Sequence, residues 1–265
     1  MNRLGKRISK KILLYVVLIV GALVAFFPFY WMVSSALKPS NEIIQYPPEI
    51  IPNSITFEHF QYVFQTMNVP RAFMNSMIVS VTTVVLNALL SGMVAYALVK
   101  LRFPGKKLLF GIVMAFMMVP FQLLIVPLFM TMTTLNLIGT YSGMILPSVV
   151  SSFSIFLLRQ NMLTLPNDYI EAALIDGSGH FRIFFKIIIP MIIPAFVTVI
   201  LTNFFWSWNN YLWPMMISVQ HDEIATMQVA IDRYRTLQDM KWGATMAACC
   251  LLYTSPSPRD RSVSR

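Results

Sequence analysis

The stretch EAALIDGSGHFRIFFKIIIP, residues 171–190, sets a carboxylate, an Ala pair, an Asp-Gly step and two cations directly before a strongly apolar run. Just upstream, in LPNDY (165–169), Asp168 is a candidate N-cap, and Glu171 three residues on completes a capping box. A helix is expected to start here. Asp176-Gly177 supplies its stop, with Gly177 free to take the left-handed conformation a helix end commonly needs, leaving a helix of about seven residues and roughly 10 Å. Ser178 can cap a second helix, whose Phe181, Phe184 and Phe185 with Arg182 and Lys186 suit a headgroup layer before the chain enters the membrane. Two explanations remain open at this point. The segment is a well-capped connector, or its Tyr169, Ile170, Ala172, Ala173 and Leu174 present an apolar, small-residue surface to a protein partner.

The rest of the chain supports the membrane reading. Its 265 residues are 57% hydrophobic and 12% charged, outside ordinary globular usage. Stretches 12–37, 72–99, 108–158 and 187–221 carry no Asp, Glu, Lys or Arg, and each exceeds the roughly 20 apolar residues a helix needs to cross a bilayer. The third is interrupted by TMTTLNLIGTYSG (131–143), a polar turn-forming link, so five spans are expected. A sixth apolar run, GATMAACCLLY from Gly243, reaches only about eleven residues, too few to cross. The basic groups Arg3, Lys6, Arg7, Lys10 and Lys11, and Lys100, Arg102, Lys106 and Lys107, place the N-terminus and the loop after the second span in the cytoplasm. By alternation, loop 159–186 is cytoplasmic and the proline-rich link 38–71 is an irregular external loop. The 26-residue first apolar run argues for a retained span over a cleaved signal peptide.

Several functions are excluded by what the residues lack. The net charge of +9 sits in the flanks of apolar spans, where topology and anionic membrane lipid account for it, so nucleic acid is not a partner. The spans carry no ionisable residue, which argues against proton relay and ion-coupled symport. No G-x-x-x-x-G-K-[ST] loop occurs, so any ATP is bound by a partner and the chain itself needs no cofactor. His59, His180 and His221 are scattered over three loops, and neither catalytic residues nor a metal site can be assembled, the adjacent Cys249 and Cys250 included. The chain is expected not to be an enzyme.

Prolines 120, 127, 147, 190 and 194 lie in or beside the spans, where each removes a backbone hydrogen bond; they shape a helix bundle or a gated path. The aromatic cluster Phe204, Phe205, Trp206, Trp208, Tyr211 and Trp213 is either an interfacial belt or, through Trp206 and Asn209, part of a substrate path suited to a sugar's apolar face and hydroxyls.

The segment 171–190 resembles the cytoplasmic EAA motif of ATP-binding-cassette (ABC) importer permeases: Glu171, Ala172, Ala173, Gly177, Ile187 and Pro190 match in register, and Ile189 replaces the usual Leu. FPFYWMVSSALKPSNEI (27–43), NSMIVS (75–80), AYALVKLRFPGKK (95–107), VPLFM (126–130), FLLRQNM (156–162) and WSWNNYLWP (206–214) are similar to carbohydrate-uptake permeases related to the smaller membrane subunit of the maltose transporter. The resemblance implies an all-α membrane protein, an ABC importer transmembrane domain of about six transmembrane helices over residues 1–250. It further implies a bacterial cytoplasmic (inner) membrane location, and a coupling helix in which Glu171, Ala172, Ala173, Asp176 and Gly177 meet the ATPase. Its implied partners are a second permease subunit, two cytoplasmic ABC ATPase subunits and an extracytoplasmic solute-binding protein. The cargo it implies is a sugar or oligosaccharide moved by alternating access, or alternatively glycerol phosphate or a polyol. One departure stands out: residues 251–265, TSPSPRDRSVSR included, do not resemble the family's ending, and are expected to be a non-native or disordered tail after a truncated last helix.

Overall fold

The computed structural model describes residues 3–237 and 242–253, and these form helices joined by turns, with no strand among them. In chain order they are α1 (Arg3–Leu37), α2 (Ser40–Ile43), α3 (Glu58–Thr66), α4 (Val69–Lys100), α5 (Lys106–Met117), α6 (Phe121–Thr134), α7 (Tyr141–Ile145) and α8 (Ser152–Leu163). There follow α9 (Asp168–Ile175), α10 (His180–Ile183), α11 (Ile189–Met191), α12 (Ile193–Trp208), α13 (Leu212–Ile217), α14 (Met227–Leu237) and α15 (Trp242–Tyr253).

Two of these helices are each long and apolar enough to cross a bilayer, α1 from Lys10 to Leu37 and α4 over 32 residues. Three helix pairs pass the same test of length and apolarity only when taken together, each bent at a short break: α5 with α6 at 103°, Tyr141–Ser148 with α8 at 44°, and His180–Met191 with α12 at 87°. Counting each pair as one span gives up to five, the number the charge-free stretches predict. The bends sit at prolines. Pro120 is the extended residue before α6, Pro147 lies in the 3-10 turn Leu146–Ser148, and Pro190 and Pro194 flank Ile192, which leaves helical geometry at φ −119°, ψ 29°. Pro127 is the exception, contained within a continuous α6. The polar link expected over 131–143 is narrower than its composition suggests. Thr131, Thr133 and Thr134 donate their hydroxyls to the carbonyls of Pro127, Phe129 and Met130 at 2.8–2.9 Å, so helix α6 absorbs them.

The described residues divide into two compact units, one within Met1–Val69 and Ile231–Pro256, the other Pro70–Ala230. In the first, the apolar side chains of the middle of α1, such as Leu13, Val17, Leu23 and Phe26, are exposed, as befits a lipid-facing helix. Its C-terminal end is tied down. Tyr30 and Ser34 both donate to the Ile50 carbonyl at 3.1 and 3.0 Å, and the Lys38 ammonium donates to the Glu49 carbonyl. The link 38–71 is therefore not irregular throughout: α2 and α3 form within it, and α3 buries His59 and Val63, with His59 Nε2 2.9 Å from the Lys38 carbonyl oxygen. Helix α15 packs on α1, α2 and α3 through Ala244, Ala247 and Ala248, small residues on one face that let helix backbones approach closely. At twelve residues it is about 18 Å long, short of the ~30 Å hydrocarbon core. Of the tail 251–265, residues 254–265 lie outside the described residues.

The second unit is organised by α4. Ser76, Ser80, Thr83, Asn87 and Ser91 recur at helical spacing and are all buried, forming a polar seam along a charge-free span. The seam supports backbone that the other helices leave unpaired. Asn87 donates to the Ser148 carbonyl at 3.0 Å and Ser91 Oγ accepts from the Ser151 amide at 3.3 Å, both at the Pro147 bend. Broken helices persist at membrane depth only where neighbours satisfy the freed groups, and α4 does so here. At its other end Asn75 donates to the carbonyls of Glu223 (3.0 Å) and Ala225 (2.9 Å) and accepts from the Tyr141 hydroxyl (2.6 Å).

Candidate functional site

Helix α9 is the short helix expected from the opening stretch, with Asp168 and Glu171 in its first turn, where carboxylates favour the positive end of the helix dipole. The capping box does not form. Asn167, not Asp168, is the N-cap, and this end has no side-chain capping bond. The physical reason is tertiary: Asn167 Oδ1 accepts from Lys100 Nζ at 2.8 Å, so the side chain nearest the free amides is engaged elsewhere.

The C-terminal end follows the sequence closely. Gly177 has φ +77°, its amide donates to the Leu174 carbonyl at 3.0 Å, and the Ser178 amide donates to the Ala173 carbonyl at 2.9 Å. These two bonds with a left-handed glycine between Asp176 and Ser178 constitute a Schellman turn. Because Ser178 is drawn into that turn, the next helix starts later than expected, with Gly179 as N-cap and no side-chain cap. From there the backbone is helical from His180 to Met191, with a π-helical turn at Phe184–Ile188.

The faces of α9 separate cleanly. Ile170 and Ala173, three residues apart, are buried in a core that includes Tyr96, Leu98, Leu158, Met162 and Phe184. They are thus not part of an outward surface, as the sequence suggested for them, because this chain's own core lies beneath. Tyr169, Glu171, Ala172, Leu174, Ile175 and Asp176 remain exposed, Ile175 at 86%. Of the aromatics assigned to a headgroup layer, Phe181 and Phe185 are exposed, whereas Phe184 is buried with its ring 5.7 Å from Tyr96 and 6.5 Å from Phe196.

Trp206 and Asn209 lie far along the chain at the end of α12, both exposed, Trp206 at 72%. Asn209 donates to the Phe205 carbonyl at 2.8 Å. The aromatic cluster around them divides by role. Trp208 is buried and stacks on Phe204, edge-on to Phe73, and Trp213 is buried and donates its indole N–H to the Gly143 carbonyl at 3.1 Å. No group of three or more His, Cys, Asp or Glu able to hold a metal occurs among the described residues.

The described residues are thus helical, with helices long and apolar enough to cross a membrane and a short, sharply terminated helix that leaves an apolar and acidic face exposed. Residues 87–255 match the family model for the binding-protein-dependent transport system inner membrane component. The chain is 35% identical over 223 residues to the arabinooligosaccharides transport system permease protein AraQ of Halalkalibacterium halodurans, covering 82% of this chain and 80% of that one. It is 33% identical to the diacetylchitobiose uptake system permease protein NgcG of Streptomyces coelicolor, covering 88% and 78%. To the sn-glycerol-3-phosphate transport system permease protein UgpE of Yersinia enterocolitica it is 30% identical, covering 91% and 89%. A crystal structure of a bacterial ABC transporter involved in the import of the acidic polysaccharide alginate shares the fold at TM-score 0.78 and 22% identity, covering 95% of this chain and 93% of that chain. The chain belongs to the family of binding-protein-dependent transport system inner membrane components, and is a permease subunit of an ABC importer.

Sequence reasoning gave no role to Asn75, Asn87 and Tyr96, and took Lys100 only as a topology charge and His180 only as an isolated loop residue. The seam on α4 left a signal, since polar residues at 76, 80, 83, 87 and 91 keep to one face of a helix. The partners of Asn75, 148 and 150 residues away, left none.

Proposed function

We propose that this permease imports a sugar or oligosaccharide by alternating access, with α9 seated in a groove of a cytoplasmic ATPase subunit. The observation that carries the reading is α9 itself, with Ile170 and Ala173 committed inward while Glu171, Ala172, Ile175 and Asp176 face out around a Schellman turn. Tyr169, Ala172, Leu174 and Ile175, the last 86% exposed, leave a contiguous apolar patch on a short, rigidly terminated helix, the kind of surface a protein partner covers. Glu171 contacts the partner and Gly177 fixes the exit angle. A second permease subunit, a second ATPase and an extracytoplasmic binding protein complete the assembly, and the chain acts without catalytic residues or cofactor of its own.

The cargo assignment rests on the relatives named for arabinooligosaccharides and diacetylchitobiose. The relative named for glycerol phosphate supports the alternative of a phosphorylated polyol. Spans free of Lys and Arg favour a neutral cargo over an anionic one, because an anion leaving water needs compensating charge. Trp206 and Asn209, neighbours at i and i+3, are the candidate contacts for it, an aromatic face beside an amide.

Ile175→Asp tests the docking. The side chain is exposed, so the chain should fold and insert, while a charge in the groove should cut co-purification of the ATPase about tenfold or more. Undiminished co-purification would remove α9 from the interface. Orientation has its own test, in a background with Cys249 and Cys250 replaced by Ser. An impermeant thiol reagent applied to intact cells should label Ser40→Cys and leave Ile175→Cys unmodified, as the positive-inside rule requires of an N-in chain. Labelling of Ile175→Cys would reverse the topology.

A further inference from the structure

Helix α9 is held by more than the turn that follows it. At its N-terminal side, Lys100 Nζ donates to the Leu165 carbonyl at 2.9 Å and to Asn167 Oδ1 at 2.8 Å. At its C-terminal side, the Tyr96 hydroxyl lies 2.9 Å from Nδ1 of His180, the first residue of the helix beyond the Gly177 turn. Tyr96 and Lys100 are four residues apart on α4, hence one helical turn apart on one face. The Tyr96 side chain is buried, its ring 6.0 Å from His180 and 5.7 Å from Phe184. Between the two ties, Ile170 and Ala173 share a buried cluster with Ala95, Tyr96 and Leu98. The short helix is gripped at both ends and along its inner face by the last two turns of α4.

We propose that Tyr96 and Lys100 are positioning residues of the transport cycle, making α4 a second receiver of any displacement of α9 beside the helix that follows it in sequence. The consequence lies about midway along the same rod. Asn87, thirteen residues before Lys100 and so about 20 Å away along the axis, hydrogen-bonds the Ser148 carbonyl at the Pro147 bend, and Ser91 binds the Ser151 amide beside it. A pull on Tyr96 and Lys100 is delivered to the bend between α7 and α8, where backbone hydrogen bonds depend on α4 side chains. Asn87 Oδ1 is buried there without a hydrogen-bond partner among the described residues, as is Thr83 Oγ1 one turn earlier on α4, leaving acceptor capacity for a changed arrangement.

This inference rests on α9 being the ATPase contact, and the test separates the two. In proteoliposomes holding the assembled importer and binding protein, Tyr96→Phe removes one hydroxyl and keeps the ring, and Lys100→Met removes the donor and keeps the stem. Each should leave ATPase co-purification at the parent level and lower thermal stability only slightly, by the small contribution of the bonds removed, while lowering uptake per ATP hydrolysed by about threefold or more, and the double variant should lower that ratio further. Lys100→Arg, which keeps a donor, should restore most of the ratio. Loss of co-purification in Ile175→Asp with an unchanged uptake-to-ATP ratio in Tyr96→Phe and Lys100→Met would leave docking intact and overturn the α4 tie. A fall in stability matching the fall in uptake would also overturn it, reducing both residues to packing.

Discussion

Gly177→Val is expected to abolish uptake, Gly177→Ala to weaken it, and Gly177→Asn to retain most of it. The order follows from backbone conformation alone, because a Cβ built at Gly177 meets no atom within 4 Å while φ is +77°. With no clash to relieve, the penalty is that of holding an L-residue left-handed, about 1–2 kcal/mol for most side chains and largest for a β-branched one, with Asn the usual exception. A valine would escape by leaving that region. Doing so breaks the Gly177-to-Leu174 and Ser178-to-Ala173 bonds, which frees the last turn of α9 and redirects His180 away from Tyr96. Uptake and binding-protein-stimulated ATPase activity in reconstituted membranes measure the effect, with assembly checked by co-purification. Parent-level transport by Gly177→Val would mean that the angle set by this turn has no part in coupling.

That turn was legible in the sequence because everything it needs is local: an Asp-Gly step at the end of a helix-length segment, with short-range bonds doing the rest. The N-terminal end of the same helix was misread for the opposite reason. Asp168 and Glu171 have capping-box spacing, but Lys100, 67 residues from Asn167, engages the side chain at the true cap, and local pattern cannot register a partner so distant. Ile170 and Ala173 show the same limit, since a motif names its residues without saying which of them face inward. Charge-free length predicts five crossings; two helices qualify alone, and the count reaches five when each bent pair is taken as one span. Their sharp bends were readable only in part, because Pro127 and Pro147 look alike in sequence. The helix at Pro127 stays continuous, whereas that at Pro147 breaks where Asn87 donates to the Ser148 carbonyl and Ser91 accepts from the Ser151 amide. Trp213 illustrates the remaining gap. In an interfacial belt it would be interchangeable with Trp206, yet it is 1% exposed and bonded to a carbonyl 70 residues away, while Trp206 is on the surface.

Gly143→Ala should destabilise the folded chain although glycine-to-alanine changes inside helices ordinarily stabilise by about 1 kcal/mol. Gly143 lies in α7, where an added Cβ would fall far inside contact distance of the Leu137 carbonyl oxygen and reach Ile217 Cγ2 at 3.2 Å. Neither neighbour can withdraw easily. The Leu137 carbonyl accepts the Thr140 hydroxyl at 2.7 Å, that hydroxyl accepts the Gly143 amide at 3.1 Å, and the Leu137 amide is bonded to the Met132 carbonyl at 2.9 Å. Above them Trp213, fixed to the Gly143 carbonyl, packs with Met144, Ile145 and Ile217 in one buried cluster. A methyl group must therefore displace backbone, and overpacking of this kind costs about 1–3 kcal/mol, enough to reverse the sign of the helix-propensity gain. Gly111 in α5 is the internal control. It is exposed and its Cβ would meet nothing within 4 Å, so Gly111→Ala should raise the melting temperature of the detergent-solubilised protein while Gly143→Ala lowers it. Equal or higher melting for Gly143→Ala would show that the turn 135–140 does not pack on α7 as closely as the Leu137 carbonyl requires.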